Sequence, residues 1–220
     1  MTIEAIIFDI DGLLVDSEPT WDQARVRLAE KVGKTWNQQD HLKVMGVSSF
    51  EWSQYMIERL GLSMTNQEVQ TEIIQQMVAI YKKEIPFRPF AVKAVRWAAQ
   101  KYAVALASGS PSQLIEIVTQ SPGLEGYLNI VVSADEVGAG KPDPSVYLET
   151  ARRLNIAPEK CVCVEDSAFG VLAGHRANMH VINIPDAKFP LSPEQSEYAD
   201  LVLGSLRELN DEAISKLNSK

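Results

Sequence analysis

The alternation of short apolar runs with helical segments is the feature that most limits what this 220-residue chain can form. The first run, Ile3–Phe8, contains three isoleucines and ends at the charged sequence Asp9-Ile10-Asp11-Gly12. Five more runs follow, at Tyr102–Ala107, Asn129–Val132, Cys161–Val164, His180–Ile184 and Leu201–Leu203. Helical patterns separate most of these runs, at Phe90–Gln100, Pro111–Gln120, Pro144–Asn155 and Ala168–Ala177. Strands that alternate with helices predict an α/β fold with a parallel sheet covered by helices on both faces.

Residues 16–83 follow a different pattern, without a clear strand. Their apolar residues recur at intervals of three and four, which is typical of amphipathic helices. One such stripe consists of Val69, Ile73, Met77 and Ile80. We therefore predict an all-helical domain of three or four helices at residues 16–83, inserted into an α/β core formed by residues 1–15 and 84–220.

The composition is that of an ordinary globular protein, with 45% apolar and 23% charged residues. The 21 basic and 29 acidic side chains give a net charge of −8 and form no basic stripe, so we expect no nucleic acid partner. No run of 18 apolar residues is present, and the N-terminus lacks the basic region of a signal peptide. We therefore expect no membrane partner. We also expect a monomer, because no exposed apolar stripe is evident.

The two cysteines, Cys161 and Cys163, lie in one predicted strand with a single residue between them. We expect them to point to opposite faces of the sheet and therefore not to pair with each other. Free thiols suit a reducing compartment, so the sequence predicts a cytoplasmic protein.

Polar side chains follow four of the predicted strands, and ligands bind beyond the carboxyl ends of strands in doubly wound sheets. The first strand is followed by Asp9 and Asp11, the second by Ser108-Gly109-Ser110, the third by Gly140 and Lys141, and the fourth by Glu165 and Asp166. Four carboxylates cannot share a small volume without a compensating cation. Such a site suits Mg²⁺, for which Asp9, Glu165 and Asp166 can supply ligands.

The remaining groups at this edge of the sheet are hydrogen-bond donors that suit a phosphate dianion. Ser108, the backbone N–H groups after it and Lys141 can each donate, with Lys141 acting as a point charge. A carboxylate beside metal and phosphate sites indicates phosphoryl transfer. Aspartate can act as the nucleophile of such a transfer through an aspartyl-phosphate. Asp11, two residues beyond Asp9, could protonate the leaving oxygen and later activate water.

In these motifs the chain resembles the haloacid dehalogenase superfamily, in its branch of phosphatases and phosphomutases with a helical cap domain. The motifs are, in order, Phe8-Asp9-Ile10-Asp11-Gly12, Ala107-Ser108-Gly109, Gly140-Lys141-Pro142 and Val164-Glu165-Asp166-Ser167. The resemblance implies a Rossmann-like core with residues 16–83 as the cap. It also implies Asp9 as nucleophile and Mg²⁺ ligand, and Asp11 as the acid/base whose main-chain carbonyl contacts the metal. The other implied site residues are Ser108, Gly109 and Lys141 for the phosphoryl group and Glu165 and Asp166 for the metal.

Comparison with other branches of the superfamily favours hydrolysis. Dehalogenases lack the second aspartate of the first motif, which is present here as Asp11. Phosphonatases use a cap lysine, and Lys34 and Lys43 have no clear claim to that role, although both remain open. Phosphoglucomutases have a cap histidine where this chain has Trp21, and an arginine after Gly-Val-Ser where it has Ser49. We therefore expect a phosphoric monoester hydrolase, with a phosphomutase as the alternative and a catalytically inactive metabolite sensor as a further one.

The cap domain is expected to select the substrate. Glu18, Ser48 and Ser49 are the candidate contacts from the cap, and Glu18 could accept hydrogen bonds from sugar hydroxyls. A sugar phosphate is the substrate that the resemblance favours, among hexose or hexitol phosphates, deoxysugar phosphates and nucleoside monophosphates. Phe90 departs from the family pattern, in which glycine is usual at this position, after a proline at the exit from the cap.

Overall fold

The computed structural model describes residues 2–44, 49–186 and 190–218. These residues form two compact units. The larger unit combines Met1–Asp16 with Pro86–Lys220, and the smaller unit is Ser17–Ile85.

The smaller unit is helical. Its described helices are α1 (Glu18–Lys31), α2 (Gln38–Val44), α3 (Ser49–Leu60) and α4 (Asn66–Tyr81). Helix α4 begins with a capping box, in which Thr65 accepts from the backbone N–H of Glu68 and the Glu68 side chain accepts from that of Thr65. Its buried residues are Val69, Ile73, Met77 and Tyr81, so the apolar spacing of three and four marks the face that packs inside the unit.

The larger unit is built on a six-stranded sheet in which every neighbouring pair is parallel. The strands are β1 (Ala5–Phe8), β2 (Ala103–Ser108), β3 (Ile130–Ser133), β4 (Cys161–Glu165), β5 (His180–Asn183) and β6 (Leu201–Val202). Their order is β3-β2-β1-β4-β5-β6, and the predicted α/β fold with a parallel sheet is confirmed. The strand order changes direction between β1 and β4, which is where doubly wound sheets bind ligands.

The register of the three central strands aligns the predicted motifs. Phe8 at the end of β1 pairs with Leu106 of β2 and with Val164 of β4. The next residue after Phe8 is Asp9, and the next after Val164 is Glu165. These two carboxylate residues therefore leave adjacent strands at the same level, at the carboxyl edge of the sheet.

Seven helices accompany the strands in the described part of the larger unit. They are α5 (Ala91–Ala98), α6 (Ser112–Thr119), α7 (Ala134–Val137), α8 (Ser145–Leu154), α9 (Ala168–Arg176), α10 (Pro193–Ser196) and α11 (Asp211–Asn218). Helix α8 begins one residue later than the Pro144 start that the sequence predicts. The N-cap residue is Pro144, and the Asp143 carboxylate just before it accepts from the Ser145 N–H at 2.9 Å.

One face of the sheet packs against α8 and α9. The core cluster on this face includes Ile7 from β1, Tyr147 from α8 and Val171 from α9. Cys161 and Cys163 belong to the same cluster, so the expectation that they point to opposite faces was wrong. Residues two apart on a strand share a face, because side chains alternate with a period of two. Both cysteines are free and buried. Over the described residues, every helix is too short or too polar to cross a bilayer.

Candidate active site

Lys141 connects the ends of the three central strands. Its Nζ atom donates to Asp9 Oδ1 at 2.6 Å, to Glu165 Oε1 at 2.5 Å and to the backbone carbonyl of Ala107 at 3.1 Å. The lysine side chain is 11% exposed and that of Asp9 8%. An ammonium group has three N–H donors, and these three acceptors account for all of them. Lys141 therefore sits in a fixed position between the two carboxylates that the register of β1 and β4 brings together.

Glu165 is fully enclosed by protein atoms. Its Oε1 accepts from Lys141 and also from the Tyr147 hydroxyl, and its Oε2 accepts from Ser167 Oγ at 3.3 Å. A Cβ atom built at Gly170 would lie 1.9 Å from the carboxyl carbon of Glu165, so α9 approaches this carboxylate at a position where only glycine fits. The glutamate is thus held by donors on three sides and by the backbone of α9.

Asp11 faces the turn that follows β2. Its Oδ2 accepts from the Ser110 hydroxyl and lies 3.4 Å from Ser108 Oγ. Ser108 Oγ also accepts from the backbone N–H of Ser110 at 3.0 Å. A Cβ atom built at Gly109 would meet nothing within 4 Å. The turn therefore places two hydroxyls against the predicted acid/base and leaves open space beside Gly109.

Asp166 completes a carboxylate cluster with Asp9 and Glu165. One oxygen of each of the three lies within 4.8 Å of the others. Lys141 contacts two of these carboxylates, those of Asp9 and Glu165, so the acidic groups of the cluster outnumber its cation. Three hard oxygen donors and an uncompensated negative charge fit a divalent cation such as Mg²⁺. The residues predicted as metal ligands from the strand ends are thus close enough to share one ion.

The protonation of the cluster reflects this excess charge. Burial raises the pKa of Asp9 to about 7, and Glu165 and Asp11 add to the rise, whereas Lys141 opposes it. Burial, followed by the charges of Glu165 and Asp9, also raises the pKa of Asp166 well above its usual range. Burial disfavours the Lys141 ammonium, but Asp9 and Glu165 outweigh that effect and raise its pKa above the ordinary value. Lysine therefore stays charged, while the metal-free carboxylates resist full ionisation.

Three contacts in this cluster were not predicted from the sequence, namely those of Ser110 with Asp11 and of Tyr147 and Ser167 with Glu165. Both serines lie within or next to the motifs, so their positions pointed to the site. Nothing in the sequence indicated that Tyr147 belongs to the site. It lies on the buried face of α8 with Val146, Thr150 and Ala151, where a tyrosine is expected to be an ordinary core residue.

The candidate cap contacts belong to the smaller unit. Glu18 is the first residue of α1, and its Oε2 lies 3.6 Å from Nε2 of His41. Ser49 is the first residue of α3, and its backbone carbonyl accepts from Gln70 Nε2 at 2.9 Å. Ser48 lies outside the described residues.

Comparison with protein families places the chain among known hydrolases. The family model described as haloacid dehalogenase-like hydrolase matches residues 3–178. A phosphorylated carbohydrates phosphatase of Thermotoga maritima is 33% identical over 181 residues, which are 82% of this chain and 84% of that protein. Hexitol phosphatase B of Escherichia coli K12 is 31% identical over 210 residues, 94% of each chain. The relatives confirm the predicted class of enzyme, a phosphoric monoester hydrolase.

Solved structures share the fold over nearly the full length of this chain. A β-phosphoglucomutase from Clostridium difficile superimposes with a TM-score of 0.80, at 24% identity and with coverage of 99% of this chain and 98% of that one. The protein CbbY from Rhodobacter sphaeroides, solved in complex with phosphate, gives a TM-score of 0.83 at 22% identity. The match covers 99% of this chain and 100% of that one. Together, the matching family model, the sequence relatives and the clustering of all four motifs at one edge of the sheet establish that this chain belongs to the haloacid dehalogenase-like hydrolase family.

Proposed function

We propose that this protein is a Mg²⁺-dependent phosphatase that hydrolyses a small phosphorylated metabolite, with a sugar phosphate as the favoured substrate. The single observation that carries the proposal is the buried position of Asp9, whose carboxylate lies next to Lys141 and within 4.8 Å of the carboxylates of Glu165 and Asp166. Such a carboxylate, with a cation on one side and a metal-compatible cluster on the other, suits attack on a phosphorus atom.

The reaction takes two steps on the side chains of this chain. An oxygen of Asp9 attacks phosphorus, the bond from phosphorus to the substrate oxygen breaks, and Asp11 gives its proton to that oxygen. Water then attacks the phosphorus of the Asp9 aspartyl-phosphate and passes a proton to Asp11. The bond from phosphorus to the Asp9 oxygen breaks, which releases inorganic phosphate and regenerates the Asp9 carboxylate. Ser110 and Ser108 orient Asp11, while Ser108, the backbone at Gly109 and Lys141 bind the phosphoryl oxygens.

Asp9, Asp166, Glu165 and the main-chain carbonyl of Asp11 would hold the Mg²⁺ ion. The ion would neutralise negative charge between the carboxylates and the phosphoryl group. The excess of carboxylates over cations in the cluster, and the raised pKa values of Asp9 and Asp166, support this assignment.

The smaller unit would act as the cap that selects the substrate, through Glu18, Ser48 and Ser49. The names of two relatives, a phosphorylated carbohydrates phosphatase and a hexitol phosphatase, support a polyhydroxylated substrate. Glu18 suits such a substrate because a carboxylate accepts hydrogen bonds from hydroxyl groups. The two free thiols support the cytoplasm as its location, and we propose a monomer without nucleic acid or membrane partners.

The phosphomutase alternative is not favoured, because the two relatives described above are named as phosphatases. They are 33% and 31% identical to this chain. The position of Ser49, where the mutases carry an arginine, supports the same conclusion, since a mutase must bind a second phosphate. The complete set of catalytic side chains argues against an inactive sensor.

A phosphate-release screen tests the proposal. The purified protein is incubated with Mg²⁺ and a panel of hexose, hexitol, deoxysugar and nucleoside phosphates, with and without a chelator. We expect phosphate release that depends on Mg²⁺ and is lost in Asp9→Asn. Turnover of p-nitrophenyl phosphate by the Asp9→Asn protein would overturn the role of Asp9. Stimulation by a sugar bisphosphate, with phosphate retained in the product, would instead indicate a mutase.

A further inference from the structure

Tyr147 reaches the catalytic cluster from the core of the larger unit. Its hydroxyl donates to Glu165 Oε1 at 2.5 Å, and both residues are 0% exposed. The face of its ring lies beside Lys141, with Nζ 5.0 Å from the ring centroid. Tyr147 thus contacts both partners of the Lys141–Glu165 ion pair, although it lies on a different element, helix α8.

Every N–H donor of the Lys141 ammonium in this ion pair already has an acceptor. Lys141 uses its three N–H donors on Asp9, Glu165 and the carbonyl of Ala107. To bind a phosphoryl oxygen, the lysine must redirect or share one of these donors. If the donor came from Glu165, Oε1 of this buried carboxylate would lose a charged hydrogen-bond donor, and a buried acceptor that loses its donor is unfavourable.

We propose that Tyr147 is a positioning residue that holds Glu165 while Lys141 turns toward the phosphoryl group. This inference rests on the proposed function. The Tyr147 hydroxyl gives Oε1 of Glu165 a second donor that is independent of the lysine, and Ser167 supplies Oε2. The Glu165 carboxylate therefore keeps hydrogen bonds to protein donors when Lys141 shares an N–H with the substrate. The aromatic face beside Nζ stabilises the ammonium in the same place by a cation–π contact.

The hydroxyl of Tyr147 is a reliable donor for this role. A phenol hydroxyl can donate its proton to Glu165 Oε1, whereas a carboxylate oxygen can only accept. A phenylalanine at this position would fill the same space in the core but would leave Oε1 of Glu165 with the Lys141 donor and without the tyrosine donor. The difference between tyrosine and phenylalanine at position 147 thus isolates the positioning role from simple packing.

The smaller unit contains a matched control. Tyr55 donates to Asp40 Oδ1 at 2.8 Å, and the same carboxylate oxygen accepts from Arg59 Nε at 2.8 Å. Tyr55→Phe therefore removes a tyrosine–carboxylate hydrogen bond beside an ion pair, as Tyr147→Phe does, but outside the catalytic cluster. An effect that both variants share is therefore due only to the loss of a tyrosine hydrogen bond and of the stability that this bond contributes to the fold.

The test measures the binding of inorganic phosphate to the Mg²⁺-loaded protein by isothermal titration calorimetry, for the unaltered chain, Tyr147→Phe and Tyr55→Phe. Removal of a hydrogen bond to a charged group predicts that Tyr147→Phe raises the phosphate Kd about tenfold. Without phosphate, Lys141 still donates to Glu165 Oε1 in Tyr147→Phe, so the Mg²⁺ affinity measured in the absence of phosphate should stay within about twofold. Tyr55→Phe should leave both constants within about twofold of the unaltered values. Steady-state kinetics of Tyr147→Phe with p-nitrophenyl phosphate should show a corresponding rise in KM of about tenfold.

An unchanged phosphate Kd in Tyr147→Phe overturns the inference, and so does a parallel loss of Mg²⁺ affinity and phosphate affinity, which would indicate a merely structural residue. If Tyr147→Phe does not fold, 3-fluorotyrosine at position 147 keeps the size and strengthens the donor. It should then tighten phosphate binding, and no change would contradict the positioning role. If the unaltered, Mg²⁺-loaded chain binds no phosphate and releases none from any substrate, the proposed function itself has failed.

Discussion

Gly12 lies so close to Asp166 that a Cβ atom built at position 12 would stand 1.9 Å from Asp166 Oδ2. Gly12 also has a φ of 77°, in the left-handed region that other residues adopt at a cost. The loop after β1 can therefore pass beside the metal-compatible cluster only because this residue has no side chain. The glycine of the first motif, which directly follows the proposed acid/base Asp11, therefore allows the close approach of the Asp166 carboxylate.

The substitution Gly12→Ala should abolish most of the activity. The new methyl group would displace the Asp166 carboxylate, and misplacement of a catalytic group by about 1 Å can cost about a hundredfold in rate. The matched control is Gly126→Ala, because Gly126 has a φ of 79° and open space around the built Cβ. Both variants should lose about 1 kcal/mol of stability from backbone strain, but Gly126→Ala should remain active. Equal kcat/KM values for the two variants would contradict the close approach of Gly12 and Asp166.

Phe90 should be strained in its native conformation. It has a φ of 69°, and its ring, 39% exposed, lies 5.7 Å from both Lys93 Nζ and Arg207 Cζ. Phe90→Ala removes the ring but keeps a Cβ at the unfavourable φ, whereas Phe90→Gly removes both. We expect Phe90→Gly to be about 1 kcal/mol more stable than Phe90→Ala by urea denaturation. If the alanine variant is the more stable of the two, residue 90 does not have the left-handed conformation.

The metal-free protein should lose stability as the pH rises through neutrality. The pKa of Asp9 is raised from 3.8 to about 7 in the folded state, so folding favours the protonated form. This contribution to stability is therefore present in full below the unfolded pKa of 3.8 and is lost as the pH rises through about 7. Thermal unfolding in the presence of a chelator should give a Tm that falls from about pH 5 to about pH 8.

Asp9→Asn is the control for this pH dependence, because the amide does not titrate. Its metal-free Tm at about pH 8 should exceed that of the unaltered protein, and its dependence on pH should be weaker, with the remainder due to Asp166. Addition of Mg²⁺ at that pH should raise the Tm of the unaltered protein. Parallel Tm curves for the two proteins would show that Asp9 is not the group that titrates.

The central part of the site could be predicted from the sequence because it depends on strand ends. Asp9 and Glu165 each follow an apolar run directly, and parallel strands that start in register bring the residues after them to one edge. Lys141 could be assigned to the same edge because it follows β3 and precedes α8. These predictions need only the order of strands and helices, which the apolar spacing indicates well.

The contacts that packing decides could not be predicted in this way. Tyr147 has the spacing of any buried residue on α8, and only the way that α8 packs on the sheet brings its hydroxyl to Glu165. The left-handed conformation of Phe90 could not be predicted either, because phenylalanine rarely adopts it. The expected orientation of Cys161 and Cys163 failed for a simpler reason, since residues two apart on a strand share a face.

The central claim, that Asp9 is the nucleophile, is tested most directly by trapping its phosphorylated form. The variant Asp11→Asn lacks the group that activates water, but p-nitrophenyl phosphate has a leaving group that needs no proton from the enzyme. With Mg²⁺ and this substrate, rapid mixing should show a burst of nitrophenol equal to one turnover, followed by slow release. Acid quenching and peptide mass spectrometry should then find one phosphoryl group on Asp9. A variant that releases nitrophenol without a burst and carries no phosphoryl group on Asp9, or carries it on another residue, would contradict the account.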